Sequence, residues 1–160
     1  MFRVFKAGTI HGVIVKKLTK FTDERGWLAE LFRKDELEGE YMPAMSYISM
    51  TQPGVARGPH EHADQADLFA FIGPSNFKVY LWDTRKDSPT RNVKQVFVAG
   101  EDSPRSVVIP KGVVHAYKNV GGTLGMVLNF PNRLFAGEGK KFPVDETRHE
   151  QDPKTMYQLD

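Results

Sequence analysis

The sequence predicts an all-β fold, a small barrel or sandwich, on three observations. Short runs rich in Val, Phe and Tyr recur along the 160 residues. Turn chemistry separates these runs at short intervals. Only Arg33–Glu40 reads as helical, because Lys34-Asp-Glu-Leu-Glu38 lacks the β-branched residues of its neighbours.

Taken in order, the candidate strands are Gly12–Leu18, Trp27–Phe32, Met45–Thr51, Leu68–Ile72, Asn76–Trp82, Val93–Val98, Ser106–Ile109, Val113–Asn119 and Leu124–Phe130. Turn residues bound them. Asp23-Glu-Arg-Gly26 precedes the second, Gln52-Pro-Gly54 follows the third, and Gly73-Pro-Ser-Asn76 joins the fourth to the fifth. Asp87-Ser-Pro89, Pro110-Lys-Gly112 and Gly121-Gly122 punctuate the rest. Along Phe77–Trp82, alternation puts Phe77, Val79 and Leu81 on one face and Lys78, Tyr80 and Trp82 on the other. The apolar set is expected inside, which leaves Tyr80 and Trp82 for an interface. From Phe135 the chain turns polar and strand-poor, and a solvated extension is expected. His11 and His149 read as surface residues. With no repeat or linker, residues 1–160 are expected to form a single domain with that polar C-terminal extension.

Charge and composition narrow the function classes. Lys and Arg number 22 against 20 Asp and Glu, spread evenly along the chain. No basic stripe interleaves with aromatics, so nucleic acid is not an expected partner. The absence of cysteine excludes disulfides and thiolate chemistry and favours a cytoplasmic location. Met1–Lys20 holds no apolar run with the length of a secretory leader, and nothing approaches the ~18 consecutive apolar residues of a membrane span. No membrane partner is expected.

Two stretches carry the chemistry. Gly54-Val-Ala-Arg57-Gly58-Pro59-His60-Glu61-His62 and Pro110-Lys-Gly112-Val-Val-His115-Ala-Tyr-Lys-Asn119 hold three of the five histidines, in segments that read as strands. Side chains alternate faces along a strand, so His60 and His62 point the same way. A second strand folded back beside the first brings His115 to them. Three imidazoles in one pocket serve either as an acid/base site or as a metal site. For a divalent metal ion the candidate ligands are His60, His62, Asp67 and His115, a set suited to Zn, Fe, Ni or Mn.

The first stretch is similar to the opening pattern of the cupins: Gly, five residues, His-x-His, then an acid and a glycine, here Gly54, His60, His62, Asp67 and Gly73. The second cupin pattern, Pro-x-Gly, two residues, His, three residues, Asn, is met by Pro110, Gly112, His115 and Asn119; Pro104 stands where a preceding glycine is usual. This resemblance implies a cupin-type jelly-roll barrel.

Most of the chain further resembles the dTDP-4-dehydrorhamnose 3,5-epimerase family. The matching pieces are Phe21-Thr-Asp23-Glu-Arg25-Gly26-Trp27-Leu28-Ala29-Glu30, Gly54 to His60, Trp82-Asp83-Thr84-Arg85 with Asp87-Ser88-Pro89-Thr90, Pro110 to Tyr117, and Asp152-Pro153. The run from Asp83 to Thr90 is the most particular of them. The resemblance implies a homodimeric isomerase of a dTDP-4-keto-6-deoxyhexose or similar keto sugar, with no required cofactor. It casts His60 as the base and Asp152 as its partner. It makes Arg57 and His115 holders of the sugar nucleotide. Arg25 and Glu30, with Trp27 beside them to meet the nucleobase, would grip the nucleotide from the partner subunit of a dimer with exchanged strands.

The chemistry explains the residue types. A ketone acidifies the C–H bonds beside it, and a histidine has the pKa to take such a proton near neutrality. The enolate oxygen then needs a positive charge or a donor. Inversion needs an acid on the opposite face.

The chain departs from the family at these points. Aligned through His60 and Asp83, the lysine that faces the enolate falls at Leu68, beside Asp67. The tyrosine that returns the proton falls at Leu128, beside Asn129. The glutamine and asparagine on the strand before Gly54 become Met45 and Tyr47. His62 is gained, and a divalent ion held by His62, His115 and Asp67 could replace the lysine as a Lewis acid. Arg57-Gly-Pro-His60-Glu-His62 also resembles the Arg-Gly-x-His-x-His stretch of sugar-nucleotide 3,4-ketoisomerases, where two histidines shuttle a proton along one sugar face, which makes His62 a second catalytic candidate. Two alternatives stay open: a metal-dependent cupin enzyme on a small molecule, and a sugar-nucleotide-binding cupin without turnover.

Overall fold

In the computed structural model residues 4–160 are described, and nearly every element is a strand. In chain order these are β1 (Lys6–Ala7), β2 (Ile14–Lys17), β3 (Phe21–Asp23), β4 (Gly26–Leu28), β5 (Tyr47–Thr51), β6 (Ala56–Glu61), β7 (Asp67–Phe71), β8 (Asn76–Asp83), β9 (Val93–Gly100), β10 (Arg105–Ile109), β11 (Val113–Asn119), β12 (Gly125–Asn129) and β13 (Thr147–Arg148). One six-stranded sheet runs β1-β9-β8-β11-β6-β13, and a five-stranded sheet runs β2-β10-β7-β12-β5. β3 and β4 form a separate hairpin. No helix among the described residues is long and apolar enough to cross a membrane.

The core lies between the two sheets because each presents its alternate residues inward. Phe77, Val79 and Leu81 of β8 and Val113 and Tyr117 of β11 meet Phe69 and Phe71 of β7, Val107 and Ile109 of β10, and Val127 of β12. Burying each large side chain there contributes about 2 kcal/mol. The other face of β7 is also covered, since Ala70 and Ile72 pack with Leu18, Leu31, Leu128 and Phe130. That double burial explains why Asp67–Phe71 reads as an almost continuous apolar run rather than an alternating one.

Several expectations need correction. The expected strand Trp27–Phe32 is shorter, Gly26–Leu28, and pairs with Phe21–Asp23 across the Asp23–Gly26 turn. The helical stretch Arg33–Glu40 is two short 3-10 turns, Lys34–Glu36 and Gly39–Tyr41. Tyr80 and Trp82 are not at an open face, being 0% and 1% exposed. The reason is the C-terminal extension, which is not simply solvated. Its Tyr157 is buried edge-on against Trp82 at 5.6 Å and contacts Phe5. Its Thr147–Arg148 adds β13 to the edge of β6. His149, expected at the surface, is half-buried and bonds Glu61 at 2.9 Å.

Candidate active site

The three histidines converge because β6 and β11 are antiparallel neighbours in a register that places His115 opposite His60. The register shifts between His115 and Tyr117, where the backbones approach closely. At Gly58, with φ +80°, a Cβ would stand 2.5 Å from the His115 carbonyl, so only glycine fits the approach. Ring centroids are 4.4 Å apart for His60 and His115, 5.5 Å for His60 and His62, and 5.6 Å for His62 and His115.

The three imidazoles are held differently. His62 Nδ1 bonds the carbonyl of Asp145, and its Nε2 faces Asp67 Oδ2 at 3.1 Å. His115 Nδ1 donates to the Val113 carbonyl at 3.0 Å, and its Nε2 stands 3.4 Å from the same Asp67 oxygen. That buried Nε2 has no hydrogen-bond partner among the described residues. Asp67 Oδ1 accepts from Gln65 at 3.0 Å and Asn129 at 2.9 Å. His60 makes no side-chain hydrogen bond to the described residues.

Electrostatics follow the anchoring. Burial, then the neighbouring His115 and His62, push His60 down to about 2, so it is neutral near pH 7. Burial opposes charge on His62 as well, but the Asp67 contact outweighs it and raises this imidazole above its ordinary value. Burial likewise opposes charge on Asp67, yet its bonds with His115 and His62 hold the carboxyl well below the usual carboxylate range. Contact with Asp67 therefore favours the charged form of His62, and His60 stands beside the pair uncharged.

A cavity of about 660 Å³ opens over His60 and His62. Arg57 and His60 line it from one sheet, and Tyr47 and Ser49 from the other. The extension closes the third side with Phe142, Asp145 and Arg148. Asp145 also fixes the loop after His62: its carboxylate accepts the N–H groups of Ala63, Asp64 and Gln65 at 2.8–2.9 Å. Arg57 is oriented by bonds from Nε to Thr51 Oγ1 at 3.0 Å and from Nη2 to the Met50 carbonyl at 2.8 Å, which leaves Nη1 uncommitted.

The expected site residues divide sharply by location. His60, His62 and Arg57 line the cavity, while His115 and Asp67 lie beneath it, each 2% exposed. Asp152 does not reach His60. It sits on an exposed turn, where its carboxylate accepts from the Lys154 backbone. The carboxylate beside the imidazoles of the cluster is Asp67, which faces His62 and His115. Arg25 and Trp27 lie on or beside the exposed β3–β4 hairpin, Glu30 just beyond it, and none lines this chain's cavity. Trp27 is 51% exposed.

Two positions read from the alignment face away from the cavity. Leu128 packs outward with Ala70 and Ile72, and the inward neighbour is Asn129. Leu68 alternates outward on β7, and the inward neighbour is Asp67. Asn129, Gln65 and Asp145 escaped the sequence reading. Period two on Leu124–Phe130 was enough to find Asn129, whereas nothing local marks Asp145.

The histidine cluster fits a divalent ion. Its donor atoms all lie within 4.8 Å of one another, and nitrogens around one ion at about 2.1 Å stand some 3–4 Å apart. Bonding of Nδ1 to main-chain carbonyls in His62 and His115 is the orientation that metal-bound imidazoles adopt.

Residues 7–130 match the family described as dTDP-4-dehydrorhamnose 3,5-epimerase. The chain is 39% identical over 140 residues to the spore coat polysaccharide biosynthesis protein SpsL of Bacillus subtilis, covering 86% of this chain and 91% of that one. It is 37% identical over 140 residues to the protein named "Probable low-salt glycan biosynthesis epimerase Agl13" in Haloferax volcanii, covering 85% and 89%. The crystal structure of a dTDP sugar isomerase from Desulfovibrio desulfuricans G20 shares the fold, with a TM-score of 0.78 at 23% identity over 94% of each chain. With the cupin-type barrel and the histidine cavity in place, the match over most of its length shows that this chain belongs to the dTDP-4-dehydrorhamnose 3,5-epimerase family of sugar-nucleotide isomerases.

Proposed function

We propose that the protein epimerises a nucleotide-linked 4-keto sugar, a dTDP-4-keto-6-deoxyhexose or close relative, and that His60 removes the proton beside the ketone. One observation carries this reading. His60 alone in the cluster lines the cavity with both ring nitrogens free of the described residues, while His62 is tied to a carbonyl and to Asp67, and His115 to a carbonyl from beneath.

A base must be unprotonated before the reaction, and burial keeps His60 so. Once it takes the proton, Asp67 favours the charged form, against burial, His115 and His62, which oppose it. The electron pair of the broken C–H bond moves to the ketone oxygen. Positive charge for that oxygen is at hand in the Arg57 guanidinium and in His62, whose proton is retained by Asp67. His62 acts as a fixed charge rather than a second base, because both its nitrogens are engaged. His115 acts from beneath, steadying Asp67.

The nucleotide is held in a homodimer in the cytoplasm, on this reading, with Arg25, Trp27 and Glu30 reaching the ligand of the partner subunit. Their exposure on and beside the hairpin and their distance from their own chain's cavity lining support it. The reading is tested in D2O with a dTDP-4-keto-6-deoxyhexose. Wild type is expected to wash deuterium into the carbon beside the ketone, and His60→Ala to lose that label with its fold intact. Tight binding of the sugar nucleotide without any label in wild type would instead establish a binding protein.

A second reading is favoured by the crowding at Asp67. With Nδ1 of His62 and His115 both committed to carbonyls, two Nε2 atoms and one carboxylate oxygen converge, which calls for a positive charge between them. A proton on His62 supplies it. A divalent ion held by His62, His115 and Asp67 would also supply it and would add Lewis acidity toward the ketone. Elemental analysis of purified protein separates the two: stoichiometric metal, with wash-in lost to chelator and restored by the ion, establishes the second.

A further inference from the structure

Removing a proton from one face of a carbon inverts it only if another group returns a proton to the opposite face. Two phenols line the cavity, Tyr47 and Tyr117. Tyr117 stands on β11, in the same sheet as His60, and its hydroxyl is paired with Ser49 Oγ at 2.8 Å. Tyr47 stands on β5, in the other sheet, on the wall across from His60. Alternation puts Tyr47 and Ser49 on the cavity face, which both line, and Ile48 and Met50 on the other; Tyr47 itself is 45% exposed.

The Tyr47 hydroxyl has a defined direction. Its ladder partner on β12 is Asn129, whose amide nitrogen donates to the Tyr47 oxygen at 2.7 Å and to Asp67 Oδ1 at 2.9 Å. Turning that amide over would set its carbonyl against a carboxylate, so its nitrogen must face both. The Tyr47 oxygen is therefore an acceptor in this bond, and its own hydrogen has no acceptor among the described residues. The phenol is fixed by its lone pair and carries an uncommitted proton across the cavity from the base.

From this placement we propose that Tyr47 is the acid of the epimerisation, delivering its proton to the sugar carbon from the face opposite His60. The proposal rests on the reading of His60 as the base. His60 takes the proton from carbon and the C–H electrons form the enolate. The enolate then collapses to the ketone as its carbon bonds the Tyr47 hydrogen, whose O–H electrons stay on the tyrosinate. Water at the cavity mouth restores the phenol and takes the proton from His60, so the cycle is neutral. Burial raises the phenol to about 12, which keeps it protonated at neutral pH until carbon draws the proton off.

The test follows label and stereochemistry together in D2O with a dTDP-4-keto-6-deoxyhexose, for wild type, Tyr47→Phe and Tyr117→Phe. Tyr47→Phe is expected to keep deuterium wash-in with retained configuration, because His60 still exchanges its own face, while the inverted product falls about 10²-fold or more. Tyr117→Phe is expected to keep inversion within a few-fold. A fluorotyrosine at position 47, which preserves the ring, is expected to move the alkaline limb of turnover to lower pH; this arm decides the matter should Tyr47→Phe fold poorly. Inversion at the wild-type rate in Tyr47→Phe overturns the proposal, as does loss of inversion in Tyr117→Phe alone. Joint loss of wash-in and inversion in folded Tyr47→Phe also overturns it, since that marks a positioning role. Wild type without wash-in fails at the earlier step, the base assignment, and is distinguishable from all of these.

Discussion

His60 and His62 lie two residues apart and share a cavity, yet the fold treats them in opposite ways. His62 is fastened at one nitrogen to a carbonyl and at the other to Asp67, which raises its pKa, and His115 is fastened to a carbonyl. His60 is left unfastened and neutral. The same side chain thus serves as scaffold in one place and as reagent in the other. Hydrogen-bond commitment, not residue type, decides which.

The sharpest way to break this contrast is His60→Ala. Turnover is expected to fall about 10³-fold, with a melting temperature close to wild type, because no bond to the protein is lost. A variant that unfolded instead would make His60 scaffold as well. Asp67→Asn probes the opposite side. It leaves His62 on the cavity wall without its charge partner and should cost about 3 kcal/mol in urea unfolding. Unchanged stability there would remove the distinction.

Asp83 offers a fastened carboxylate that lines no part of the cavity, bonded to Arg85 at 2.9 Å and to Thr90 Oγ1 at 2.7 Å, with Ser88 Oγ close by. Burial opposes its charge, but these bonds draw its carboxyl down to about 2 from 3.8. A depressed carboxylate stabilises the fold above its unfolded pKa, and the effect disappears as pH falls through the folded value. The gap between wild type and Asp83→Asn should be about 2 kcal/mol at pH 7 and close toward pH 2, with turnover per folded molecule unchanged. The smallest effect is expected for Asp145→Asn, about 1 kcal/mol from weakened bonds to the loop after His62. It should raise KM for the sugar nucleotide more than it lowers kcat, since the loop borders the cavity.

Much of this arrangement was legible from sequence, and what escaped did so for physical reasons. The strands around Val113–Asn119 and Asn76–Asp83 declare themselves through apolar alternation and the turns that bound them. The meeting of His60, His62 and His115 follows from period two and one antiparallel return. β1 and β13 are two residues each, too short to leave a pattern. Tyr80 and Trp82 were misplaced because both faces of β8 are covered, and the cover is a distant polar segment whose packing rests on Tyr157. Leu68 and Leu128, the positions matched to the family's lysine and tyrosine, turn away from the cavity, and their inward neighbours are Asp67 and Asn129. Asp67 was marked by the histidine pattern, whereas Asn129 needed the inward alternation of β12 to be followed. Pairing Asp152 with His60 needed a chain path that spacing alone does not constrain.

Asp145 grips from both its main chain and its side chain: the carbonyl takes the His62 ring hydrogen, and the carboxylate gathers three consecutive amides of the neighbouring loop. A stretch remote in sequence thereby sets which nitrogen of that imidazole is protonated. Relatives that altered this stretch could retune the chamber while every barrel strand stayed as it is, so diversification of the carboxy-terminal arm is a route to new sugar preferences that leaves the scaffold untouched.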